Sequence, residues 1–442
     1  MSARLKDPDL PPGAIVQTFG DGGVLRNDGV KLTPASKNPW YVLATVAGEQ
    51  EVANIFVFSS DLHVRNRRFW NGWMCQKMRE GTQAALAEKL NLPEAALAPL
   101  SEDELERVKA RFKAAFPERA PEEVIPAPDA EVDFRNVYFP RTLLLGNFVF
   151  TGSALVQRAH FAADAFFLDA VFTDAAEFQE THFNGDALFA EAHFELIANF
   201  QGAHFTGDAY FMGADFMRVA EFQQARFEAC ADFSDGCFAA QTAFNETAFK
   251  GAVPEFFQRA MHHKTIFNEN PLGWPKETAD NVEKGRKAYT RLRQVAAEIY
   301  DPDLEHFFLR QEMRCKARIE RDKGAWFHWA LFGLYRGISD SGISVARPTL
   351  GLLVAWLGPG FFFLFCYSSE IIEGSSRLSP LGPFGLSFAN LFSFLGLNRL
   401  FFADVIADFG FWLRLLAGLQ TVSGVVLLFF LGLGLRNRFR LK

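Results

Sequence analysis

Between Phe139 and Phe249 the chain can be written as rows of 22 residues that align column by column. Rows begin at Phe139, Phe161, Phe183, Phe205 and Phe227, and a sixth opened by Phe249 breaks down. Two of the middle rows read FAADAFFLDAVFTDAAEFQETH and FNGDALFAEAHFELIANFQGAH. Phenylalanine returns at alternating steps of six and five, and the residue two before it is usually Ala. A repeat this regular restricts the fold more than any other property of the chain.

An 11-residue half-row suggests a right-handed helical supercoil. On an α-helix, however, successive Phe side chains would point roughly 120 to 140° apart and form no seam. In an extended strand positions i−2 and i share a face, so each Ala-x-Phe unit turns one small and one large side chain inward. Four such units fill a row. One row is therefore read as one square turn of a solenoid whose turns pair at ~4.8 Å, so that five rise ~24 Å. The expected core is Phe161, Phe167, Phe172, Phe178, Phe183, Phe189, Phe194, Phe200, Phe205, Phe211, Phe216, Phe222, Phe227 and Phe233, with Ala columns such as Ala154, Ala176, Ala198 and Ala220. Outside, Gln157, Gln179, Gln201, Gln223 and Asn245 are expected to form an amide ladder. Asp164, Asp186 and Asp208 occupy corners, where a short polar side chain bonds nearby backbone.

The A(D/N)-x-F rhythm resembles the Phe-centred pentapeptide-repeat proteins. That resemblance implies a right-handed quadrilateral β-helix of about five 22-residue turns. Leu145 and Val156 depart from it in the first row, and Thr242 and Thr247 in the last, as terminal turns of a solenoid do. The whole chain is read as a mixed fold: an N-terminal arm (1–40), a mostly helical capping region (41–133), the β-helix (134–253), a helical connector with an interfacial helix (254–346) and a transmembrane module (347–442).

Residues 1–40 read as loop or a loosely attached arm. Tyr41 to Val46 and Asn54 to Phe58 are short apolar runs, and Leu62 to Met78 is a helix whose Phe69, Trp70 and Trp73 pack on a neighbour. Ser101 and Glu104 are spaced as a capping box. This region is expected to cover the open end of the solenoid, whose bare edge would invite pairing. Past Pro254 the repeat is expected to stop and helices to follow, the one from Ala325 to Arg336 carrying the aromatic character of a membrane interface.

Pro348 to Tyr367 and Leu415 to Leu435 are runs without a charge, each near the ~20 residues that cross a bilayer. Arg336 and Arg347 precede the first, and Arg436, Arg438, Arg440 and Lys442 follow the second. Glu370, Glu373, Asp404 and Asp408 lie between them beside Arg377, Arg399 and Arg414. The positive-inside rule then puts both termini in the cytoplasm, which makes this a multi-pass protein of the inner cell membrane with a cytoplasmic β-helix. Phe384 to Phe402, apolar and between the spans, is expected to be a re-entrant segment. The C-terminal region resembles the two-span, ion-channel-like modules attached to some pentapeptide-repeat proteins, without the potassium filter Thr-Val-Gly-Tyr-Gly. Asn390, Ser393, Asn398, Arg399 and Gln420 are the pore-lining candidates, against the alternatives of a non-conducting plug and, for Gln420, of interhelical packing beside Ala417, Thr421 and Gly424.

On the solenoid, His160, His182 and His204 are expected in one outward, solvent-facing column, with His193 elsewhere. Metal binding and pH sensing are the functional alternatives for them. The expected chemistry is otherwise spare. No phosphate loop, nucleophile elbow or HExxH occurs, so no enzyme, catalytic residue, cofactor or metal is assigned. The net charge is −7, and from Phe134 to Lys250 there are 15 acidic against 6 basic residues, which argues against nucleic acid as a partner. Five cysteines lack CxxC spacing. The expected partners are a lipid bilayer, copies of the same chain and a cytoplasmic protein on the β-helix. Three functions are carried forward: an oligomeric ion-channel-like pore, a membrane-anchored scaffold without conduction, and, from the family resemblance, a DNA mimic that protects a topoisomerase.

Overall fold

The computed structural model describes residues 10, 13–49, 61–89, 92–268, 270–275, 282–368, 381–407 and 409–439. The run Asn54 to Phe58 and the charges Glu370, Glu373, Arg377, Asp408, Arg440 and Lys442 lie outside the described residues. The chain divides into two compact units, Met1–Phe308 and Leu309–Lys442.

In the first unit the repeat forms a four-sided β-solenoid of about five turns, built from parallel strands mostly two residues long. Each strand pairs with its counterpart one row away, so Phe183 lies opposite Phe161 and Phe205, and Ala176 opposite Ala154 and Ala198. The fourteen core phenylalanines named above are at most 2% exposed. Strand spacing brings like rings into register: Phe200 stacks on Phe178 at 4.9 Å and on Phe222 at 5.0 Å. It also meets Phe189 and Phe211 edge to face, each at 5.3 Å. Such perpendicular contacts suit the ring quadrupole.

The corners divide into two kinds. At the five-residue steps the residue two past each Phe is left-handed. Asp169, Glu180, Glu191, Gly202, Gly213, Gln224, Asp235 and Glu246 all have φ between 51° and 70°. Only two of these are Gly, so their composition hides the constraint. At one six-residue corner the aspartates form a ladder, in which Asp164 Oδ1 accepts from Asp186 N, Asp186 Oδ1 from Asp208 N, and Asp208 Oδ1 from Cys230 N, each at 2.9 Å. The expected amide ladder is incomplete. Gln179 Nε2 turns to Glu177 instead, and the side-chain oxygens of Gln157, Gln179 and Gln223 have no partner among the described residues.

The arm expected as loop carries three strands among its described residues. Strands β1 (Ile15–Thr18), β2 (Val24–Arg26) and β3 (Lys31–Pro34) pair antiparallel, and β3 adds in parallel to Val137–Phe139. Short strands separated by Gly and Asp turns lack the length that marks a strand in sequence.

The arm also corrects the histidine column. His160, His182 and His204 are 1%, 7% and 5% exposed, not solvent-facing. A Cβ at Gly13 would come within 2.1 Å of the His182 ring. Burial, with Arg26 adding repulsion, pushes the His160 imidazole down to about 4 and His182 down to about 3, so both are neutral at physiological pH.

Helices close the first end of the solenoid. They are α1 (Pro39–Ala44), α2 (Asp61–Met74), α3 (Glu80–Lys89), α4 (Glu102–Ala115, with the Ser101/Glu104 capping box formed) and α5 (Pro121–Val124). On the edge strand Val149–Phe150, Asn71 of α2 takes the place of a missing strand. Its Oδ1 accepts from Val149 N at 2.9 Å, and its Nδ2 donates to Asn147 O at 3.0 Å. Trp70 Nε1 donates to Val149 O at 2.8 Å. Edge groups that would otherwise template another chain are thereby occupied.

The repeat does not stop at Pro254. One extra residue shifts the spacing to 23, and Phe256 stacks on Phe233 at 5.1 Å and Phe267 on Phe244 at 5.3 Å, giving an irregular sixth circuit. Within it Arg259, 1% exposed, donates to Phe211 O and Ala214 O at 2.7 and 2.8 Å and lies over the Phe238 ring. Helix α6 (Val282–Glu298) then caps this end, Arg291 donating to Phe256 O and Arg259 O at 3.1 Å each. Helix α7 (Pro302–Asp322) begins by packing Phe308 on Trp274 at 4.8 Å.

The second unit continues from α7 into α8 (Trp326–Ser339), α9 (Ala346–Ser368), α10 (Gly382–Leu391), the short α11 (Leu397–Phe401) and α12 (Ala403–Ala407), and α13 (Phe411–Phe439). Trp326, Phe327 and Trp329 of α8 are 73%, 58% and 48% exposed. Asn437 Nδ2 donates to Gly342 O at 2.9 Å, which ties the turn after α8 to α13, and Arg347 Nη1 donates to Arg336 O at 3.0 Å, which ties α9 to α8.

Candidate functional site: a polar junction among apolar helices

Helices α9 and α13 are long and apolar enough to cross a membrane, over Ala346–Cys366 and Phe411–Asn437, with only 17% and 11% of their most apolar windows buried. Their outer faces are apolar, as at Val354, Phe361, Val422 and Phe429. Polar groups collect where they meet α10.

The cause lies in α9, which contains Pro359 within its length. Proline has no N–H, so the carbonyl four residues back, Ala355 O, loses its helical partner. Gln420 of α13 supplies the replacement, its Nε2 donating to Ala355 O at 2.9 Å. The same amide reaches Ser387 of α10, at O (2.9 Å) and Oγ (2.6 Å). Ser387 Oγ in turn donates to Trp356 O, and Trp356 Nε1 to Phe384 O at 3.0 Å. Thr421 Oγ1 donates to Asn390 O at 2.9 Å. Gly424 permits the crossing, because a Cβ there would stand 2.1 Å from Leu391 O. Ser387, Asn390 and Gln420 are 0%, 2% and 4% exposed, and Asn390 Nδ2 and Gln420 Oε1 have no partner among the described residues.

Of the residues singled out as pore lining, the structure therefore brings Asn390 and Gln420 together inside one chain's three-helix junction. Ser393 and Asn398 are half-buried and Arg399 is exposed. Asn398 and Arg399 instead line a separate open cleft of about 550 Å³ with Ala403, Ile406, Ala407 and Arg414. Ser387, Trp356 and the cleft's Arg414 are site residues that the sequence alone does not mark. A proline inside an otherwise continuous apolar run signals that the carbonyl four residues back needs an outside donor, which here is Gln420; Ser387 and Trp356 join only through the way the helices cross. Among the described residues no group of three or more His, Cys, Asp and Glu is arranged to hold a metal.

Residues 167–215 and 189–236 match the family model described as pentapeptide repeats (9 copies). No curated protein and no solved structure matches the chain. The matched residues coincide with the most regular circuits of the solenoid, whose Ala-x-Phe units are one side each. Between Phe167 and Gly236 the chain is thus built of Phe-centred pentapeptide repeats, and it continues into a C-terminal segment holding two apolar helices long enough to cross a membrane.

Proposed function

We propose that this protein is a membrane-anchored scaffold: α9 and α13 span the inner cell membrane, both termini face the cytoplasm, and the flat sides of the solenoid bind a cytoplasmic protein. The observation that carries the anchor is the low burial of the two long helices, 17% and 11% over their most apolar windows. In water a helix apolar on all sides has to be covered; in lipid it need not be. The junction around Gln420 supports the same reading, because its polar groups are spent on holding three helices of one chain together rather than on a lumen. Membrane fractions resistant to alkaline carbonate extraction are the expected location. Recovery in the soluble fraction would overturn the reading. Cytoplasmic orientation predicts a fluorescent C-terminal green fluorescent protein fusion and an inactive C-terminal alkaline phosphatase fusion.

A second reading, the homo-oligomeric ion-channel-like pore, is favoured by α10. It contacts α9 and α13 near their mid-lengths, at Trp356 and Gly424, as a re-entrant helix would. A pore of two spans per chain needs several chains. The mass of the protein in detergent and single-channel currents in planar bilayers separate the readings: a monomer without currents leaves the scaffold.

A further inference from the structure

The cleft formed by α11, α12 and the start of α13 is not part of the Gln420 junction. Two guanidinium groups, Arg399 and Arg414, and the Asn398 amide share its lining with the small or apolar Ala403, Ile406 and Ala407. One Nη of Arg414 donates to Ala407 O at 2.8 Å, which draws the guanidinium toward α12. Among the described residues no carboxylate pairs with either guanidinium. Arginine stays charged in any protein setting, so the cleft presents two positive charges to whatever enters it. The planar fork of each suits the paired oxygens of a phosphate.

The surroundings decide which phosphate. Leu400, Phe401, Phe411 and Trp412 flank the cleft in sequence and are 74%, 68%, 72% and 76% exposed. A free phosphate ion gains nothing from such a surface, whereas acyl chains cover it. Aromatic residues beside arginine are also what a membrane–water boundary collects.

We infer that this cleft binds the phosphodiester of an anionic phospholipid, with Arg399 and Arg414 clasping the phosphate, Asn398 donating at its rim and the neighbouring aromatic side chains against the acyl chains. This rests on the reading that α9 and α13 span a membrane. It assigns Arg399 a ligand other than permeant ions.

The test uses the full chain in mild detergent, with native mass spectrometry counting retained phosphatidylglycerol. Wild-type protein is expected to retain it, and Arg399→Gln or Arg414→Gln to weaken retention roughly tenfold or more, the scale of losing a charge-assisted hydrogen bond. Ala403→Phe fills the cleft from an exposed position with both arginines intact and is expected to do the same. Diacylglycerol with the same chains should not be retained, and millimolar inorganic phosphate should not displace the lipid. Equal retention by both arginine variants and by Ala403→Phe would overturn the site. Retained diacylglycerol would refute phosphate recognition, and displacement by inorganic phosphate would assign the cleft to the free ion. Failure of the membrane reading is read separately, from fractionation of the untreated protein.

Discussion

Gln420 and Pro359 are coupled through a single carbonyl, and a double-mutant cycle measures the coupling. Gln420→Leu keeps an apolar body of similar length but withdraws the donor from Ala355 O, 2.9 Å away, and from Ser387. A buried acceptor left without a donor costs about 1–3 kcal/mol, while interhelical polar contacts in lipid average about 0.6 and reach about 1.7 kcal/mol. A loss of about 1–2 kcal/mol is expected. Pro359→Ala restores an N–H that reaches Ala355 O along the helix, so in that background Gln420→Leu leaves no orphan there. The double variant should be less destabilised than the sum of the single ones, by about 1 kcal/mol. Unfolding of the detergent-solubilised protein by sodium dodecyl sulfate, followed by circular dichroism, gives the four free energies. Thr421→Val provides the control, since it removes a bond to Asn390 O and none to α9. Additivity of Pro359→Ala and Gln420→Leu to within about 0.3–0.5 kcal/mol would refute the account.

Four further outcomes follow for residues 1–308. Phe200→Ala should cost about 3–5 kcal/mol in urea unfolding, and Phe200→Leu less, because it forfeits the ring contacts but keeps most of the volume; wild-type stability in Phe200→Leu would contradict the stacking argument. Asn71→Leu should cost about 1–3 kcal/mol by exposing the Val149 edge groups to a partner that cannot bond, and wild-type stability in Asn71→Asp, which keeps the shape but loses the donor to Asn147 O, would show that shape rather than pairing matters. Stability should fall as pH drops from 7.5 to 5: His160 and His182, depressed to about 4 and 3, stay neutral when folded but protonate near 6.5 when unfolded. The unfolded chain therefore binds more protons, and each histidine removes about 2 kcal/mol by pH 5. Arg26, Asp28, Tyr138 and Glu228 also face this column; a pH slope unchanged in His182→Gln would assign the effect to them. Gln224→Gly should stabilise by about 1 kcal/mol by relieving a left-handed residue at φ 60°, detectable as a raised urea midpoint.

Much of the solenoid is legible because its repeat is exact where the physics is local. Ala176 and Phe178 point inward whatever lies elsewhere, since alternation along a strand is a covalent property and identical rows can only stack on themselves. The left-handed corners were invisible because Glu180, Gly202 and Gln224 share a conformation but no chemistry. The sixth circuit was missed because one extra residue before Phe256 breaks the count while leaving the stacking intact. The histidines misled for a related reason. Their outward register holds for a bare solenoid, but the arm that packs on His182 is more than a hundred residues away in sequence.

The polar junction divides along the same line. Apolar length alone marks α9 and α13, and a lone Gln420 within an apolar run announces that it must find partners, because an amide cannot be left dry without cost. Which partners it finds depends on how three helices cross, and that is decided by Gly424, Ser387 and the gap opened by Pro359. Periodicity and hydropathy are written along the chain and can be read there. Burial of His182, capping by Asn71 and the pairing of Gln420 with Ala355 arise between segments distant in sequence, where only packing in three dimensions brings a donor to its acceptor.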